Sequence, residues 1–238
     1  MMMTSSLRIG RSLLAAAMMF ASACGFAGYQ SLADTGVCDP GETTFTVDID
    51  NPFFPLPVGH RVVLEGEEGG AHLLVRITSM DETETVAGVE TRVVEEFEAK
   101  DGRVVEISRN FFAQAQDGTV CYFGEDVDIY DGAGNVTSHS GAWRAGVGEN
   151  HSGIFMPASV EVGLAFQQEI APGIAEDQAK VIALDETTEV PAGTFEDTAT
   201  LRDGSPLDGS SGEKVYARGI GLIVDGPARL TRYSSPSA

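Results

Sequence analysis

The chain is predicted to be all-β: two related antiparallel β-meander units forming a sandwich or a partly open barrel. Apolar residues recur at every second position from about residue 43 onward, and Asp-Gly pairs separate the apolar runs. A sequence pattern also returns after 104 residues, so one architecture is written twice.

Residues 1–23 are read as an export signal. Arg8 and Arg11 precede an apolar run of about a dozen residues, too short to cross a bilayer, which ends in Ala21-Ser22-Ala23. Cleavage there leaves Cys24 first, and residues 21–24 also form a relaxed lipobox with Ala21 where leucine is usual. A lipid on Cys24 is the preferred reading and plain secretion the alternative. The chain has three cysteines. Lipidation of Cys24 leaves Cys38 and Cys121 as an even pair in an oxidising compartment; the other reading is two unrelated free thiols. Residues 24–43 lack periodicity and read as a tether, and 234–238 as a polar tail.

The β domain is expected over residues 44–233. Phe45, Val47 and Ile49 share one parity, as do Leu73, Val75 and Ile77, and again Val162, Leu164, Phe166 and Ile170, so each strand has a wet and a buried face. Asp101-Gly102, Asp117-Gly118, Asp131-Gly132 and Asp225-Gly226 supply hairpin turns. Prolines 52, 55 and 57 exclude helix from residues 51–59, which should run extended, with their aromatics packed as a lid on the core. Only residues 174–180 look capable of a helical turn or two.

The duplication rests on ordered matches. Leu56-Pro57-Val58-Gly59 returns as Val160-Glu161-Val162-Gly163, and Met80-Asp81-Glu82-Thr83 as Leu184-Asp185-Glu186-Thr187. The units span about 52–125 and 156–230, with a hairpin insert at 126–155. The space between them is the natural place for a ligand.

The formal net charge is −21, and the leader carries two arginines and no acid, so processing leaves a more negative protein. Such a surface repels phosphate backbones and anionic headgroups, which argues against nucleic acid and leaves an N-terminal lipid as the only membrane contact.

No nucleophile elbow, metalloprotease helix, paired Cys-x-x-Cys or phosphate loop occurs, and no catalytic residue is assigned. His60, His72, His139 and His151 lack a short zinc spacing. Asp126 and Asp128 lie two apart on one strand face, and with Asp131 or Glu125 they offer oxygen ligands for calcium, against the plainer reading of an exposed acidic face. Glu125 and Asp126, with Glu176 and Asp177, would give a hydrolase acid and base if the units brought them together. Trp143 suits core packing or a stacking platform. Glu125, Trp143, Glu176 and Asp177 are therefore the candidate ligand-binding residues.

Residues 122–126 (Tyr-Phe-Gly-Glu-Asp), 141–146 (Gly-Ala-Trp-Arg-Ala-Gly), 156–158 (Met-Pro-Ala) and 172–177 (Pro-Gly-Ile-Ala-Glu-Asp) together resemble a family of uncharacterised bacterial secreted proteins and lipoproteins. The resemblance spans roughly residues 50–225 and implies an envelope location and a β fold, with no activity. The chain departs from that family's pattern at His60-Arg61-Val62 and at Cys121, the latter favouring a private bond to Cys38. The expected function is an exported envelope protein, in the periplasm or lipid-anchored. It would bind an apolar or amphipathic small molecule, or a protein partner, between its units. A carboxylate-dependent glycan hydrolase and a purely structural assembly domain are the alternatives.

Overall fold

A computed structural model describes residues 26–235. The export signal, Cys24 with its expected lipid, and residues 236–238 lie outside the described residues. In chain order the strands are β1 (Phe45–Thr46), β2 (Arg61–Glu68), β3 (Ala71–Val86), β4 (Val89–Lys100), β5 (Arg103–Ala115), β6 (Val120–Tyr130), β7 (Val136–Ser138) and β8 (Trp143–Arg144). They continue as β9 (His151–Met156), β10 (Ala165–Gln167), β11 (Glu169–Ile170), β12 (Gln178–Val190), β13 (Gly193–Ser205), β14 (Ser210–Ala217), β15 (Gly221–Asp225) and β16 (Ala228–Ser234).

The fold is all-β, an antiparallel sheet of 13 strands nearly closed into a barrel with one seam. The path runs β10-β12-β13-β14-β15-β16-β2-β3-β4-β5-β6-β9-β11, with β1 beside β5 and with β7 and β8 beside β6. The two ends of this path are neighbours in sequence. Residues 165–170 pair with β12 through β10 and with β9 through β11, so a single short segment stitches the seam. Gly153 makes that stitch possible, because a Cβ there would lie 2.3 Å from the Gln168 carbonyl oxygen. Gln168 adds a side-chain bond, its Nε2 donating to the Phe155 carbonyl at 3.2 Å.

Turn chemistry explains the long hairpins. Asp101 and Gly102 adopt φ of 48° and 74° between β4 and β5, the geometry that fits the right-handed twist of paired strands. Ala87 and Gly88 do the same between β3 and β4, an unusual place for alanine.

The two loops matched by the repeat are built alike. His60 N donates to Pro57 O and Leu164 N to Glu161 O, and the glycine before each donor bonds across to a long strand, Gly59 to Ser79 and Gly163 to Val181. β4 and β13 also occupy equivalent positions at the same offset.

Several expectations are corrected. Residues 174–180 form no helix: Ile174 N and Ala175 N both donate to Ala171 O in a tight turn, and β12 begins at Gln178. Pairing along β12 satisfies more backbone than an isolated helical turn would. Val162 does not share a buried face with Phe166; it sits in the loop and is 63% exposed. Residues 51–54 turn rather than extend, Phe54 N donating to Asn51 O at 3.1 Å, yet Phe53, Phe54 and Leu56 are buried as the expected lid. Residues 26–38 of the expected tether are docked: Tyr29 OH donates to Arg202 O, Ala33 N to Ala165 O, and Cys38 is joined to Cys121 by a disulfide. Ser234, placed in the polar tail, pairs with Arg61 inside the sheet.

Candidate functional site

Neither the interior void nor the outer depression described below is lined by the residues singled out from sequence. Trp143 is 3% exposed and packs edge-on against Tyr122 at 5.4 Å, so it is core rather than an open stacking platform. Glu125 stands opposite Trp143 in the β6–β8 register and is buried beside it. Asp126 follows it and is exposed, because neighbouring strand residues point to opposite faces. Glu176 spends a carboxylate oxygen on the Gly173 amide at 2.7 Å, closing its own turn. Asp177 is buried where β12 begins, and its carbonyl accepts from Gln168 N and Glu169 N at the seam.

The three aspartates considered for calcium are each engaged separately. Asp126 binds Arg144 at 2.6 Å, Asp128 meets His139 at 3.0 Å, and Asp131 accepts the amides of Ala133 and Asn135 in the β6–β7 turn. Among the described residues no group of three or more His, Cys, Asp or Glu is arranged to hold a metal ion. The histidines are dispersed as well. His60 is buried with Nδ1 on Ser235 Oγ at 2.8 Å and Nε2 on the Ile220 carbonyl at 2.9 Å, while His72 faces Glu65. Burial lowers the His60 pKa from its ordinary value, with the Ile220 bond opposing.

Two zones fill the barrel. One is aromatic: Phe112 stacks on Tyr122 at 4.7 Å, and Phe54 of the lid and Phe155 of β9 close on Phe112 at 5.3 and 4.8 Å. A void of about 10 Å³, lined by Phe54, Ile77, Val94, Glu96, Asn110, Phe112, Tyr216 and Leu222, is no larger than one water needs.

The second zone is ionisable, and the sequence reading missed it. β4 contributes Glu96 and Glu98, β5 Glu106, β13 Asp203, β14 Lys214 and β15 Asp225, all buried. Lys214 meets Asp203 at 2.6 Å and is the register partner of Asp225. Burial alone would pull the Lys214 ammonium down, but Asp203 and Asp225 reverse this and hold it well above its ordinary range. Burial pushes Asp225 up to about 7 against the pull of Lys214. It likewise raises Glu98 to about 7 against Lys100, and Glu106 to about 9, with Glu96 and Glu98 adding to the rise.

One signal for this zone was present in the sequence. Glu106, Ser108, Asn110 and Phe112 share a parity, and the structure buries all four. Phe97 instead lies on the outer face, where the Arg76 guanidinium sits 4.3 Å over its ring. Chemically the zone sets a buried ammonium among carboxyls whose pKa values burial raises.

Outside the barrel, an open depression of about 400 Å³ is lined by Pro40, Gly41, Thr43, Phe45, Thr46, Val47, Gly88, Val89 and Glu90. It lies between the segment leading into β1 and the β3–β4 turn.

The fold and these zones define an antiparallel sheet nearly closed into a barrel with one seam and packed inside by its own side chains. No family model matches the chain, and no curated protein or solved structure matches it.

Proposed function

We propose that this chain is an exported β-barrel of the cell envelope, held at the membrane by a lipid on Cys24, and that it docks a protein partner through its outer surface. The observation that carries this reading is the filled interior. Phe54, Phe112, Tyr122 and Phe155 pack on one another inside the barrel, and the void beside them, which Tyr216 and Leu222 of the second unit also line, is about 10 Å³, far below the few hundred that a small-molecule site needs.

Other features support the reading. The segment that follows the proposed anchor is fastened to the barrel by the disulfide and by Ser152 Oγ donating to the Cys38 carbonyl at 2.5 Å, so the barrel would sit close to the membrane. The matching loops at residues 57–60 and 161–164 fit a duplicated unit, and the resemblance to secreted proteins and lipoproteins points the same way. The carboxylates of a hydrolase would need open access to a substrate, whereas Glu125 is buried and Glu176 caps a turn.

The outer depression beside β1 is the surface we assign to the partner. Photo-crosslinking in the native envelope tests this, with the reactive residue placed at Thr43 or Glu90, and at Leu207 in the β13–β14 connection as the control. The expected result is one discrete adduct from the first two positions and none from the control. A lipid or small molecule released in stoichiometric amount from the purified barrel in native mass spectrometry would overturn the reading.

A further inference from the structure

We propose that Glu98 and Glu106, facing each other across β4 and β5 inside the barrel, form a proton-binding pair, and that loss of its proton loosens the β4–β5 hairpin in mild alkali. The two residues are direct register partners, which places their Cβ atoms about 5 Å apart. Their exposures are 5% and 6%, so water screens neither carboxyl well. The ladder is interrupted just beside them: pairing passes from Glu98 with Glu106 to Ala99 with Val104, leaving Val105 as the extra residue of a β-bulge. A rung flanked by a bulge has fewer backbone bonds to resist separation.

The surrounding charges leave the pair short of a counter-ion. Glu96 and Lys100 of β4, Glu68 of β2 and Asp225 of β15 act on it, while Lys214 of β14 and Asp203 of β13 act on Asp225. Lys214 is held by Asp203 at 2.6 Å, and Lys100 lies 2.5 Å from Glu68 and 3.5 Å from Glu98. Glu106 is left facing Glu96 and Glu98, with Lys100 the one cation acting on it among the described residues. Two ionised carboxylates on this rung repel strongly in a poorly polarisable interior; with one proton between them, one carboxyl can donate to the other. The two titrations are therefore coupled, and their midpoints belong to the pair.

The sign follows from the raised values, about 7 for Glu98 and about 9 for Glu106. The fold holds protons that the unfolded chain has already released above its ordinary carboxyl range. The stabilisation is fully present below about pH 4.5 and is lost as pH rises through 7 and then 9. The pair depends on no docking partner, so the purified barrel suffices for the test.

The decisive experiment is a carbon-13 NMR titration of the glutamate side-chain carboxyls, run beside thermal melts from pH 5 to about 10. We expect two glutamates with midpoints near 7 and 9, and a melting temperature that falls across the same interval. Glu106→Gln should remove the upper step, and Glu98→Gln with Glu106→Gln should flatten that fall. If the variants do not fold, the titration of the unaltered protein decides alone. Every glutamate titrating below pH 6 would overturn the proposal, as would an alkaline fall that persists undiminished in the double variant.

Discussion

Removing the disulfide should cost this barrel a large share of its stability. Cys38 and Cys121 are separated by 83 residues, so the bond closes a loop that contains β1 through β5. The chain-entropy model gives about 4.5 kcal/mol at 25 °C for a loop of that length. In a domain of this size that corresponds to a fall in melting temperature of roughly 9 to 18 °C. Both cysteines are fully buried, so reductant reaches the bond only when the structure opens. The assay compares Cys38→Ala with Cys121→Ala, made together, against the unaltered protein by urea titration and thermal melt. Unaltered protein should resist dithiothreitol when folded and become as unstable as the variant once unfolded in its presence. A loss below about 1 kcal/mol, with no effect of reductant on refolding, would refute the reasoning.

Three further outcomes are expected. Lys214→Met leaves Asp203 and Asp225 without their ammonium; the loss should approach about 3 kcal/mol at pH 8 and shrink at pH 5, below the Asp225 value of about 7, as denaturant titration at the two pH values would show. Gly153→Ala drives a Cβ into the Gln168 backbone, so it should cost about 3 kcal/mol and speed hydrogen exchange at the β9–β11 seam. Burial lowers the His60 pKa, so its stabilisation is present above about pH 6.5 and is lost as pH falls toward the lowered value. The acid loss should therefore vanish in a His60→Gln variant that still folds, measured by melts between pH 5 and 7.

Much of the fold was legible because short-range chemistry decided it. The four Asp-Gly turns all join strands, and Leu73, Val75 and Ile77 face the core as their alternation required. The Ala87-Gly88 turn was hidden because alanine gives no signal for positive φ. The loop holding Val162 and the turn at residues 171–175 escaped notice because periodicity carries no information about where the seam lies. The site was less legible still. In residues 94–98, Val-Glu-Glu-Phe-Glu, acids occupy both parities, so nothing local tells which face is wet. Closure of the barrel decides it, turning Glu96 and Glu98 inward and Phe97 outward. Asp225 was read as half of an Asp-Gly turn, which concealed its place opposite Lys214.

Intact-mass analysis of the protein recovered from the cells that make it tests the central claim most directly. The account predicts a chain that begins at Cys24, carries acyl groups on that residue and retains the Cys38–Cys121 bond. Recovery of the unprocessed chain from Met1, soluble in the cytoplasm and with both thiols free, would contradict it.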